Sequence, residues 1–193
     1  TDMNQPLGEK IGNALEVQEC LDIMAGKARP NDLVEVTLAL SAEMLVMAGA
    51  AKNVADATQM LQKKLASGEA LKKFEEMVAA QGGTMGALPA AKHTKPIAAP
   101  GSGTVQAIEC DQIGYAVIAL GGGRKVASDK VDFAVGFEQP KKIGDTVRAG
   151  EPLMIMHYND AARAAEAERT VQQAYRIGAQ PAARPELIVQ RVD

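Results

Sequence analysis

The residues best suited to binding chemistry lie in 118–129. An apolar run, Ile118-Ala119-Leu120, stops at Gly121-Gly122-Gly123, and Arg124, Lys125 and Asp129 follow. Glycine tolerates positive φ and close backbone approach, so a glycine run turns the chain and aims neighbouring N–H groups at one point, a geometry that suits an anion. Gly122, Gly123, Arg124 and Lys125 are therefore the candidate substrate-binding residues. The same residues also read as a glycine C-cap followed by a turn, with Arg124 and Lys125 meeting solvent. Ser128 and Asp129 have no histidine at triad spacing, so nucleophilic hydrolysis is not supported and no residue is assigned as catalytic. His93 falls in a Pro-rich stretch and is expected in solvent, while His157 ends an apolar run and is expected to make a local hydrogen bond.

The elements that must position these residues follow from periodicity. Asn13 with Glu16 three residues on has capping-box spacing, and Ala14, Val17, Leu21 and Met24 fall on one helical stripe before Gly26. A second helix starts near Asn31 and Asp32 and ends near Gly49, apolar on most faces and so expected to be centrally buried. A third starts at Asn53 and a fourth carries Leu71, Phe74 and Val78 before Gly82. Residues 84–103, with Pro89, Pro96 and Pro100, read as an extended linker. Beyond it the pattern predicts a strand over 104–108, a helix over 112–120 capped by Asp111, and strands over 131–137 and 153–158. A helix capped by Asp160 is expected to run through Tyr175 to Gly178, with a closing strand over 187–192. The class is α+β.

Composition bounds the function. The chain has 193 residues, 47% of them hydrophobic, enough for one large or two small domains with a real core. A net charge of −3 with dispersed Lys and Arg argues against a nucleic-acid partner. Cys20 and Cys110 lie far apart and form no CxxC pattern, which points away from zinc and disulfides. No apolar run reaches membrane-spanning length and residues 1–8 lack the pattern of a signal peptide, so the expected location is cytoplasmic. Thr1 stands where an initiator Met would, and residues 1–8 read as the end of a strand running into a loop with nothing upstream to pair with. A truncated or processed chain is expected.

Two segments look like halves of one motif: Pro96-Ile97-Ala98-Ala99-Pro100 with Gly103-Thr104-Val105, and the run from Ile143-Gly144-Asp145 through Gly150-Glu151-Pro152-Leu153. They resemble the strand-turn units of a biotinyl/lipoyl-type barrel-sandwich. A carrier domain needs a prosthetic-group lysine after the second unit, and no lysine follows Lys142. A swinging-arm carrier is disfavoured on that ground, and the alternative kept is a noncatalytic barrel-sandwich carrier-like or protein-interaction module.

Asp2-Met3-Asn4-Gln5-Pro6-Leu7-Gly8, the run from Ile11 to Val17 with Glu19, and Met77-Val78-Ala79-Ala80-Gln81-Gly82-Gly83 resemble the α/β domain of the pyrimidine-nucleoside and thymidine phosphorylases. Pro100 with Gly103, Gly114 with Ala116-Val117-Ile118, Leu120 through Arg124, Ala127-Ser128-Asp129, Val135-Gly136-Phe137 and Gly144-Asp145 with Gly150 resemble that family's C-terminal domain. The resemblance implies a helical remnant of the α/β catalytic domain over 1–83, the linker over 84–103, and an α+β C-terminal domain with a barrel-sandwich, hammerhead-like core over 104–193. It also implies reversible phosphorolysis of pyrimidine nucleosides, a role in nucleoside salvage and a homodimer for the full-length protein. The family's phosphate loop and base-holding residues precede Thr1, so these residues alone are expected to be inactive. No organic cofactor is implied. Potassium is, held in some members by two main-chain carbonyls and a glutamate that correspond here to Leu7, Lys10 and Glu19. Lys10 replaces the usual small residue, and its ammonium would oppose a cation if it pointed inward. Without the resemblance, Glu19 reads as a solvated carboxylate on a helix face.

Overall fold

The structure, a computed structural model, describes residues 1–28 and 31–192. Its elements run β1 (Lys10–Ile11), α1 (Asn13–Met24), α2 (Asn31–Met47), α3 (Val54–Ala66), α4 (Glu69–Ala80), β2 (His93–Ala98), β3 (Gly103–Ile108), α5 (Cys110–Leu120), β4 (Gly136–Glu138), β5 (Thr146–Val147), β6 (Pro152–Tyr158), α6 (Ala161–Ala174) and β7 (Tyr175–Gly178). They form two compact units, Gln18–Ala87 and a discontinuous unit of Thr1–Val17 with Leu88–Asp193. Helix and sheet are mixed as the α+β reading requires.

In the helical unit, α2 packs on α3 and α3 on α4. Asn53 caps α3 as its sequence predicts, its Oδ1 accepting the Asp56 N–H at 2.9 Å. The expectation of a centrally buried α2 is corrected. Val36 and Ala42 are buried, but Leu40, Met44 and Met47 are 53%, 61% and 85% exposed. The helix is apolar on more faces than this unit covers. An apolar groove of about 280 Å³ opens in the same unit, lined by Cys20, Ile23, Leu33, Leu38 and Leu61.

The discontinuous unit has two sheets, in strand order β1-β4-β6-β2 and β5-β3-β7, with every described pairing antiparallel. Its core is a single apolar cluster in which Ile97, Val105, Phe137, Leu153, Met154 and Met156 are fully buried. Helices α5 and α6 pack on each other, and the small buried residues Ala116, Ala164 and Ala167 suit a close approach. The two motif-like segments lie antiparallel to each other twice. β2 pairs with β6, β3 pairs with β5, and at the turn between them Ala99 N–H donates to Glu151 O while Ala99 O accepts the Gly150 N–H.

Several local expectations are corrected. The 84–103 stretch contains strand β2, an edge strand in which Pro96 is tolerated because its missing N–H need not join a ladder. Residues 1–8 form no strand; the first strand is β1. In 131–137 only Gly136 and Phe137 are strand, because the Asp132 carboxylate accepts the Ala134 N–H at 3.0 Å and ties that segment into a turn. Helix α5 starts at Cys110 behind Glu109, which caps without its side chain, so Asp111 is inside the helix rather than its cap. Helix α6 stops at Ala174, since Tyr175–Gly178 pairs with β3 and a ladder partner overrides the helical stripe. Residues 187–192 form no strand; Val189 and Val192 are exposed and have no sheet to bury against.

Candidate functional site

Helix α5 delivers the glycine run. Gly121 ends it at φ 99°, and its N–H donates to Ile118 O while Gly122 N–H donates to Val117 O at 2.9 Å. Gly122 O accepts the Asn13 side-chain amide at 2.8 Å, and Gly121 O accepts the Asp132 N–H. A Cβ on Gly122 or Gly123 would come within 2.7 Å of a Val117 or Ile118 side chain, so both glycines permit close packing on the preceding turn. The loop's next N–H groups, of Lys125 and Val126, donate to the Asp129 carboxylate at 2.9 and 3.0 Å. Those two bonds hold the Asp129 pKa below its ordinary value. The position an external anion would take before these two amides is held by the loop's own carboxylate.

Beside the loop is a cleft of about 390 Å³ whose lining includes Gly121, Gly123, Lys125, Lys130, Arg163 and Glu166. Arg163 lies over Gly121, its Nη1 within 2.4 Å of where a Cβ would stand. Lys125 Nζ is 3.8 Å from Glu166 Oε1, a loose and exposed contact. Three cationic side chains around a polar hollow can attract an anion by charge and by their donors. Among the described residues that line the cleft, no nucleophile is paired with a base.

The N-terminal segment carries the other candidates. Asn13 is the first helical residue, not the cap: Glu16 reaches back to the Gly12 N–H at 2.8 Å, while Asn13 itself spans to Gly122. Gly12 and Gly136 meet across β1 and β4 at φ 128° and 157°, and a Cβ on Gly136 would fall 2.1 Å from Ile11 O. Lys10 turns its ammonium to Glu138, 3.1 Å away, which answers where that unexpected charge points. His157 Nε2 lies 3.1 Å from the other Glu138 oxygen but off the hydrogen-bond line, so the expected local contact is electrostatic. Burial raises the Glu138 pKa, but Lys10 and His157 outweigh it and the net shift is downward. His93 is exposed, its ring 5.3 Å from that of Tyr158. Leu7 and Lys10 belong to the discontinuous unit and Glu19 to the helical one. Glu19 is 3% exposed, which overturns the solvated-face reading. Among the described residues no group of three or more His, Cys, Asp or Glu converges as a metal site.

Two family models match this chain in succession. Residues 1–71 match the glycosyl transferase family a/b domain, and residues 104–178 match the pyrimidine nucleoside phosphorylase C-terminal domain. Thymidine phosphorylase of Burkholderia cenocepacia (strain HI2424) is 46% identical over 200 residues, covering 100% of this chain and 45% of that protein. Thymidine phosphorylase of Burkholderia lata is 46% identical over 185 residues, covering 92% of this chain and 42% of that protein. The chain belongs to the pyrimidine nucleoside phosphorylase family. It spans a little under half the length of these curated relatives.

Two features of this chain escape sequence reading. Arg163 joins Lys125 and Lys130 at the cleft because α6 packs on α5, and no local spacing links it to them. Lys142, beyond the glycine run, reaches Pro6 O and, at 2.7 Å, Gly8 O in the candidate cation loop, across more than 130 residues of sequence. Its signal would have been the turn it opens, where Asp145 Oδ2 accepts the Lys142 N–H at 2.9 Å.

Proposed function

We propose that this chain is the C-terminal portion of a pyrimidine-nucleoside phosphorylase, with thymidine among the substrates. The supporting observation is identity sustained along the whole chain to proteins named thymidine phosphorylase, across two successive domain types. In this reading phosphate attacks the C1′ carbon of the nucleoside, the glycosidic bond breaks, and free base and pentose 1-phosphate leave. Positive charge develops on the sugar, so the enzyme's task is to position phosphate and stabilise the departing base. Residues 1–83 continue the catalytic α/β domain and 104–193 belong to the C-terminal domain, whose sheet also takes in β2 from the 84–103 stretch. The twofold antiparallel pairing of the two motif-like segments supports a barrel-sandwich core there.

The cleft beside Gly121 and Gly123 is the surface this domain would offer to an anionic substrate group, through Lys125, Lys130 and Arg163. The enzyme is a cytoplasmic homodimer acting in nucleoside salvage. Among the described residues no helix is long and apolar enough to cross a membrane.

The test is phosphate-dependent release of thymine from thymidine and uracil from uridine, by these 193 residues and by the same chain joined to the upstream sequence of its gene. Base release by the longer protein alone is expected, and the ratio of the two rates sets the preference. Silence from both rejects the phosphorylase reading and advances the noncatalytic module.

A further inference from the structure

The segment before β1 is held from several sides within the discontinuous unit. Ile143 N–H donates to Gln5 Oε1 at 3.0 Å, Gln139 N–H donates to Glu9 O at 2.7 Å, and Asp2 N–H donates to Leu187 O at 2.9 Å. Its centre is bound differently. There the donor is the Lys142 ammonium, which takes Pro6 O and Gly8 O together, with its stem only partly exposed. Two carbonyl oxygens converging on one positive charge is the arrangement by which a loop presents oxygen ligands to a hard cation. Gly8, at φ 73°, lets the chain fold around that charge, a conformation most side chains resist.

The lysine is itself fixed. Its main-chain N–H is held by Asp145 Oδ2, and Asp145 Oδ1 receives Arg184 at 2.8 Å, so the turn carrying Lys142 is braced on both sides. Burial and Asp2 raise the pKa of the nearby Cys110 thiol, while Lys142 opposes them, as an ammonium fixed in this neighbourhood should.

We infer that Lys142 is a tethered cation for the 6–8 loop: its ammonium supplies the positive charge that a monovalent metal ion would otherwise bring to these carbonyls. Leu7, whose carbonyl is one of those carried over for potassium, lies between the two carbonyls that Lys142 takes. The loop on which Leu7 sits already closes on an ammonium through the carbonyls on either side of it, and the Lys10 side chain is committed to Glu138. This inference rests on the geometry alone and does not require the phosphorylase reading.

Thermal unfolding of the 193-residue chain tests it, in KCl and in choline chloride at equal ionic strength, since choline is too large to sit among loop carbonyls. The wild-type midpoint should be the same in both salts. K142Q, which keeps a donor and loses the charge, should unfold about 5 °C or more lower in choline chloride. It should recover part of that loss as KCl is titrated in, with saturation, while K142R behaves as wild type. A saturable gain by the wild type in KCl overturns the inference, as does a K142Q midpoint indifferent to potassium. If K142Q does not fold, the wild-type comparison still decides: equality sustains the tethered cation and a saturable potassium response removes it.

Discussion

The helical unit and the discontinuous unit are built from similar fractions of apolar residues but close their surfaces differently. In the discontinuous unit two short sheets and two helices surround one cluster, and Phe137, Leu153, Met154 and Met156 lose all contact with water. In the helical unit the long side chains of α2 point outward along Leu40, Met44 and Met47, and Ile23, Val36, Ala42 and Ala57 are the buried apolar residues among those described. Sheets joined by antiparallel pairs enclose their own core. Three helices packed in sequence leave an apolar face, and faces of this kind commonly mark surfaces that other protein covers.

The contrast can be broken most sharply by truncation. Phe137→Ala should destabilise the chain by about 3–5 kcal/mol in chemical denaturation, whereas Leu40→Ala should change it by less than about 0.5 kcal/mol. Equal losses would mean that α2 is buried in solution. The next largest effect concerns backbone approach. Gly136→Ala places a methyl against Ile11 O at positive φ and should cost roughly 2–4 kcal/mol and release β1 from β4, visible as faster amide exchange at Ile11. Gly114→Ala, on α5 with nothing near its missing Cβ, should instead stabilise by about 0.5–1 kcal/mol.

A smaller test stays in the helical unit. Asn53→Ala removes the α3 cap and should cost about 1 kcal/mol, with the loss confined to exchange protection in α3 and α4. The smallest expected effect is pH-dependent. The folded-state pKa of Glu138 lies below its ordinary 4.5, so its contribution is present above that pH and is lost as acid protonates it in the folded chain. Glu138→Gln should flatten the acid limb of a stability–pH curve and leave the slope above pH 7 unchanged; an unaltered acid limb would show that Lys10 and His157 do not engage it.

How legible these differences were depends on the range of the forces that set them. The α3 cap at Asn53, the α6 cap at Asp160 and the apolar spacing of α3 and α4 are local chemistry and read directly from sequence. The end of α6 was not legible, because Val171 and Tyr175 continue one stripe and only the distant pairing with β3 turns Tyr175 into a strand residue. Alternation in 131–137 misleads for a related reason, since the Asp132 carboxylate offers the backbone a turn in place of a ladder. At the candidate site the glycine run was visible, but its use was not. Whether its amides face an external anion or Asp129 is a matter of loop closure, and the sequence lists both partners without choosing. Asn13 shows the same limit: its cap-like spacing is real, yet its amide leaves the helix to hold Gly122.

The discontinuous unit also sets an order of events in time. Residues of β1 and the loop before it find their partners at Phe137, Glu138, Gln139, Lys142 and Ile143, roughly 130 positions later, with the whole helical unit strung between. During synthesis these residues are therefore made well before the partners they hold in this unit, with α1 to α4 and the first strands of the second unit in between. Closing so long a loop adds little entropy compared with a shorter one, but it delays the last native contacts. Pairing β1 with β4 and the 6–8 loop with Lys142 is therefore a late step among the contacts of this unit, and until it is made that segment is open to proteases and chaperones.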